Sequence, residues 1–318
     1  MSVEPTSAAP TGNEPDPEHT PARVSRRAVL AGGAAAAMLG LAACAESSSA
    51  TEVEPRKLEN SADDELPPET TPPQISAGPP LVTGSFVSQR MMGRPTRWAV
   101  VRPNGVTGRL PVVVVLHALN TNEKSIFTSK LDIQAVLQDY VDAGNAPFAI
   151  ACADGARNYY HRRTDGTDAG AMVLDEFLPM LASNPELDLS TDRIGLFGWS
   201  MGGYGALRLA TMLGAPRVAA VAVSSPALWA DPRNFPPRAF DGLGDYQANS
   251  LFGTQGDFGP IPLLINIGSS DQFYTYTRQW AAGLHPPAAF GTAPGGHTNR
   301  YWRSVLPEQI EFLGRNLA

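Results

Sequence analysis

Apolar and polar positions divide the chain into alternating elements. Residues 84–90 and 97–101 alternate apolar with polar side chains around Gly93-Arg94-Pro95, which predicts an antiparallel edge pair. Residues 111–116, PVVVVL, form a continuous β-branched run, the pattern of a central parallel strand buried on both faces. Further buried strands are predicted at 148–153, 194–197, 218–223 and 261–267. Helices are predicted at 124–141, 168–181 and 203–213. A last helix carries Trp302, Leu306, Ile310, Leu313 and Leu317 at helical spacing. In the second of these, Asp168 is expected to cap, with Asp175 and Glu176 on the solvated face. Strand–helix alternation of this kind predicts an α/β fold, a central mostly parallel sheet flanked by helices.

The pattern lapses between residues 224 and 260, a Pro/Gly-rich stretch dotted with Trp229, Phe235, Phe240, Tyr246, Phe252 and Phe258. A segment this long without strand character predicts a small cap-like insertion, with a short helix near residues 242–250. Its aromatic side chains either form an acyl pocket or pack the cap onto the domain.

The first eighty residues have no such periodicity. Residues 1–22 are rich in Pro, Glu, Thr and Ser, the composition of a disordered segment. Arg26-Arg27 then precedes an apolar run ending at Ala43, which reads as a twin-arginine export signal or as an uncleaved signal anchor. The expected organisation is a signal segment at 1–43, an acidic, Pro-rich tether at 44–80 and a folded domain at 81–318. The formal net charge of −7 belongs to the tail, because acids and bases balance from Leu81 onward. The folded part thus has no basic excess to hold nucleic acid. Cys44 and Cys152 are the two cysteines, too few for a disulfide framework, and Cys152 falls in a buried strand.

The densest chemistry lies where an apolar strand meets a helix, at Gly198-Trp199-Ser200-Met201-Gly202. A G-x-S-x-G pentapeptide in that context predicts a nucleophile elbow, with the Met201 amide aimed at a developing oxyanion. A serine hydroxyl needs a base and an orienting carboxylate, in the chain order Ser, acid, His. Asp271 stands in the turn after the strand at 261–267; Asp245 and Asp257 are rivals by order alone. Of the histidines that follow, His285 lies beside Pro286-Pro287 at a helix end, and His297 lies in the Gly295-Gly296-His297-Thr298 loop. His117 is expected to pack within its own loop. Tyr159, Tyr160 and His161 lie at the carboxyl end of a strand, where ligands bind in such sheets. They are candidates for the site mouth, or else belong to an amphipathic loop with solvated Arg162 and Arg163. No metal-ligand spacing is present and no cofactor is expected.

GWSMGGYGAL, the G-x-x-D-x-F turn around Asp271 and GGHTNRYW together resemble the esterase branch of the α/β-hydrolases. That branch includes S-formylglutathione-hydrolase-like esterases and mycolyltransferases, and the likeness spans roughly residues 110–318. It implies an α/β-hydrolase fold with Ser200, Asp271 and His297 as catalytic residues. It further implies the Leu119 amide as second oxyanion donor, although Ala118 stands where the related loops have glycine. Asn299 stands where the H-x-W-x-x-W histidine loop of the group has its first tryptophan. Leu41-Ala42-Ala43-Cys44 resembles a bacterial lipobox, implying lipidation of Cys44 and anchoring on the outer face of the cytoplasmic membrane. The expected function is an exported serine esterase acting on a small-molecule or lipid ester. The substrate contacts would come from Tyr160, His161 and Trp229. Alternatives are an acyltransferase acting on cell-envelope glycolipids and a non-catalytic binding lipoprotein on the same fold. Oligomeric state stays open.

Overall fold

The computed structural model describes residues 81–128 and 130–318. The expected signal, Cys44 and the tether lie outside the described residues. Among those described, no helix is long and apolar enough to cross a membrane.

Eight strands form one sheet. They are Leu81–Ser88 (β1), Arg94–Val101 (β2), Leu110–Leu116 (β3), Ala149–Ala153 (β4), Leu189–Trp199 (β5), Val218–Ser224 (β6), Leu263–Gly268 (β7) and Ala289–Ala293 (β8). Their spatial order is β1-β2-β4-β3-β5-β6-β7-β8. β1 and β2 are the expected antiparallel pair, β2 also runs antiparallel to β4, and all remaining neighbours are parallel. The valine run of β3 sits between β4 and β5 and splits between two cores, as a strand covered on both faces must. Val113 and Val115 face Ile133–Asp142 (α1) and Asn299–Leu317 (α7). Val112, Val114 and Leu116 face Met201–Leu213 (α4) and the helical segment 169–183.

That segment comprises Ala169–Met172 (α2), a π-helical turn Val173–Phe177 and Leu178–Ser183 (α3). Asp168 caps it as expected, its carboxylate accepting from the Ala171 amide. Asp175 and Glu176 are not simply solvated. Asp175 pairs with Arg90 at 2.7 Å. Glu176 accepts from the Gln89 and Arg90 amides and the Ser88 hydroxyl, so it anchors the β1–β2 turn.

Three other departures have local causes. The helix expected from residue 124 begins only at Ile133. Asn122 and Ser125 spend their side chains on nearby amides (Lys124 N to Asn122 Oδ1, 3.0 Å; Asn122 N to Ser125 Oγ, 2.9 Å), a competition that favours turns over helix. Asp132 then takes a left-handed conformation, φ 57°. β8 carries no apolar pattern because it is a partly exposed edge strand, held by its ladder to β7. Arg163 is tied down rather than solvated. It makes an ion pair with Asp241 (2.5 Å) and donates to the carbonyls of Arg238 and Ala239. This clamp joins the 154–168 loop to the insertion.

The insertion contains the expected short helix, Leu243–Asn249 (α5). Its aromatic residues pack it onto the domain. Trp229, Phe240, Tyr246 and Phe258 are buried, and the Phe240 ring meets Phe235, Tyr246 and Trp229 at centroid distances of 5.1, 5.3 and 6.0 Å.

At the carboxyl ends of the strands, α4 presses on β3. A Cβ on Gly202 would lie 1.8 Å from the Leu116 carbonyl oxygen, so no side chain fits. We expect Gly202→Ala to cost roughly 3–5 kcal/mol in urea unfolding, or to prevent folding, because the clash is with backbone. Gly244 in α5 is exposed, with nothing within 4 Å of its Cβ position. Gly244→Ala should therefore be neutral or stabilising by up to about 1 kcal/mol in the same assay.

Candidate active site

Ser200 occupies the turn between β5 and α4 at φ 53° and ψ −121°, a sparsely populated conformation costing roughly 1–3 kcal/mol. Its neighbours hold it there. The Ser200 amide donates to Ser224 O at the end of β6 (3.0 Å), and the Ser200 carbonyl accepts from the Ala227 amide (3.0 Å). The side chain projects from the sharp turn that the pentapeptide requires.

Asp271 follows β7 and His297 follows β8. Their two turns are stitched together: Ser269 N donates to Ala293 O and Ser270 N to Gly295 O, both at 2.9 Å. The contact is close enough that a Cβ on Gly268 would lie 2.3 Å from the Gly295 oxygen. Thr298 then caps α7, its hydroxyl accepting from the Tyr301 amide. The histidine loop is thus fixed at one end by the sheet edge and at the other by a helix start.

The three side chains form one hydrogen-bonded line. His297 Nδ1 lies 3.0 Å from Asp271 Oδ2, and Nε2 lies 2.8 Å from Ser200 Oγ. A carboxylate accepts only, so Nδ1 carries the proton and Nε2 is free to accept from the serine hydroxyl. The Asp271 side chain is fully buried and that of His297 is 10% exposed. Burial pushes the Asp271 carboxyl up. The hydrogen bond and charge of His297, the Phe273 amide (2.9 Å to Oδ1) and the Ser225 hydroxyl outweigh it, leaving the group below its ordinary value. The rivals by chain order stay in the insertion; Asp245 lies beside His161 and accepts from the Asp241 amide. His285 is exposed and takes no part.

Gly202 rests on the Leu116 and His117 carbonyls, which brings the start of α4 against the 117–119 loop. Among the described residues, no protein acceptor takes the amide of Met201 or Leu119. Met201 is the first residue of α4, where a helix leaves its amides unpaired. His117 is fully buried and ties this loop to the next: Nδ1 faces Ala118 O and Nε2 accepts from the Gly155 amide, both at 2.8 Å.

Tyr160 and His161 are not at an open mouth. They are 1% and 0% exposed. The Tyr160 ring lies against α4 at Gly205, with its hydroxyl bonded to His117 O (3.3 Å). His161 donates from Nε2 to Ala239 O (2.9 Å) and stacks on Phe240. Both brace the loops behind the site. Trp229 is also buried; its ring meets Phe273, and Phe273 meets the His297 ring (centroids 5.2 and 5.3 Å). Among the described residues, no group of three or more His, Cys, Asp or Glu converges as a metal site.

Two residues of the site escaped the sequence reading. Ser225 looked like the start of a loop, yet it is fully buried behind Asp271. Trp302 read as a core residue of the last helix, but its indole reaches Ser225 Oγ (3.0 Å) and its ring meets His297 edge-on at 4.9 Å. Its place five residues after His297, on one helical turn from the cap, was the available signal.

A search of curated proteins finds an α/β hydrolase from Xenoacremonium sinensis, xenA, 29% identical over 152 residues. That stretch is 44% of this chain and 32% of the relative, so the chain spans about a third of that protein's length. Among solved structures, a ferulic acid esterase superposes with a TM-score of 0.64 at 18% identity, covering 76% of this chain and 99% of the other. An S-formylglutathione hydrolase from Agrobacterium tumefaciens gives 0.62 at 14%, covering 78% and 99%. These likenesses establish the α/β-hydrolase fold expected from the sequence. The sequence model of the Esterase family matches residues 88–313, well over half of the chain and a span that includes Ser200, Asp271 and His297. The chain belongs to the Esterase family.

Proposed function

We propose that this protein is a serine esterase working through an acyl-enzyme, with Ser200 as nucleophile, His297 as general base and acid, and Asp271 as its orienting carboxylate. The observation that carries this reading is the unbroken line from Ser200 Oγ through both imidazole nitrogens to Asp271, at 2.8 and 3.0 Å. Ser200 Oγ attacks the ester carbonyl as His297 Nε2 takes its proton. The Met201 and Leu119 amides receive the charge that gathers on the carbonyl oxygen. Such donors are typically worth roughly 3–4 kcal/mol each in barrier height. Asp271 keeps the Nδ1 tautomer and stabilises the imidazolium. His297 then gives its proton to the departing alkoxide, leaving an acyl ester on Ser200. Water, deprotonated by the same nitrogen, releases the acid and restores the serine.

Water is preferred to a glycolipid alcohol as acceptor because Asn299 replaces the tryptophan found in the mycolyltransferase histidine loop. The sequences Arg26-Arg27 and Leu41-Ala42-Ala43-Cys44 support export and lipid anchoring at Cys44. Membrane fractionation checks the anchor: Cys44→Ser should move the protein from the membrane to the soluble fraction.

A short-chain p-nitrophenyl ester should be hydrolysed, with Ser200→Ala lowering kcat by at least about 10⁴-fold. A fluorophosphonate should label Ser200. Wild-type protein that neither turns over esters nor takes the label would instead favour a binding lipoprotein. An acylated sugar formed in place of free acid would favour the transferase.

Stability should also depend on Asp271. Its carboxyl lies below the ordinary value of 3.8, so its stabilisation is fully present above that pH and is lost as pH falls through the folded-state value. Thermal melts of wild type should fall faster below pH 4 than those of Asp271→Asn, which has no such group to protonate.

A further inference from the structure

Ser225 sits in the turn after β6 with φ 46°, a left-handed conformation that a serine adopts at a cost. Glycine would take that conformation freely. The position is fully buried, and its amide is spent on Asn266 O (2.8 Å). The hydroxyl has two neighbours. Trp302 Nε1 donates to Oγ at 3.0 Å, and the hydroxyl also hydrogen-bonds the Asp271 carboxylate, helping to hold that group below its ordinary value. An indole N–H can only donate. An ionised carboxylate can only accept, so the hydroxyl proton goes to Asp271. Trp302 touches the site a second time through its ring, which stands at 89° to the His297 imidazole with centroids 4.9 Å apart. One side chain therefore bounds the imidazole directly and reaches the carboxylate through Ser225.

Resting on the esterase reading above, we propose that Trp302 and Ser225 are a positioning pair for the reaction. Together they fix the Asp271–His297 bond from behind, at the angle that aims Nε2 at Ser200. Neither residue touches substrate. Trp302 is held for this task by α7, whose buried Gln309 bonds to Ser224 Oγ and Asn266 Oδ1, both at 2.9 Å. Ser224 and Asn266 lie on the strand ends that also carry Ser225 and the turn to Asp271. Helix, serine and carboxylate thus share one frame.

Trp302→Phe keeps a ring beside His297 and removes the N–H. Ser225→Ala removes the hydroxyl and keeps the backbone demand. Active sites are counted with a fluorophosphonate, and kcat per labelled site is measured with a short-chain p-nitrophenyl ester. Each variant should lose roughly 10–100-fold in kcat per site, with KM within about twofold of wild type, as expected when a base is tilted off its target. The double variant should be no worse than the poorer single one by more than about twofold, because both act through one path. A purely structural role would reduce the number of labelled sites and leave kcat per site unchanged. That result in both variants overturns the proposal, as do losses that multiply in the double variant. Where one variant fails to fold, the other decides. Wild-type protein that is inactive and unlabelled sinks the esterase reading instead, which keeps the two failures apart.

Discussion

The backbone at Ser200 lies at φ 53° and ψ −121°, and hydrogen bonds to Ser224 at the end of β6 and to Ala227 in the loop beyond it keep it there. That conformation is unfavourable in isolation, so the surrounding sheet has to impose it. It does so by contact at atomic range. α4 starts so close to β3 that Gly202 leaves no room for a methyl group above the Leu116 carbonyl. The same contact sets the first turn of α4 beside the 117–119 loop. The strain at one residue and the supply of unpaired amides next to it are therefore two results of a single close approach.

A second demand is electrostatic. A carboxylate whose side chain is wholly buried is costly unless its charge is met by donors. Asp271 meets this with the His297 ring, the Phe273 amide and the Ser225 hydroxyl, each brought by a different part of the chain. The β7 and β8 turns bring the first two, and the end of β6 brings the third. Placing the donors at the carboxyl ends of adjacent parallel strands lets residues distant in sequence meet without any of them bridging a gap.

Much of this was legible in the residues. The valine run of β3 and the apolar segments of β4 to β7 announced buried parallel strands because both faces of such strands are apolar. The elbow was legible because glycine, serine and glycine between strand and helix have few other uses. What escaped was decided by contacts remote in sequence. β8 is an edge strand specified by its ladder, not by its own side chains. Tyr160 and His161 read as polar aromatics at a strand end, yet both are buried because Gly205 admits the tyrosine ring and Phe240 stacks on the imidazole. Ser225 is a small polar residue whose importance comes only from Trp302, which stands on the last helix.

The clamp between the 154–168 loop and the insertion bears on how freely these two segments can move. Arg163 grips Asp241 and the carbonyls of Arg238 and Ala239, and His161 donates to that same Ala239 carbonyl while Phe240 stacks on its ring. Prising the two segments apart would part a forked ion pair and wet a cluster of stacked rings in one motion. The arrangement of the two segments is consequently settled when the chain folds. Any displacement of the insertion therefore has to carry the 154–168 loop with it.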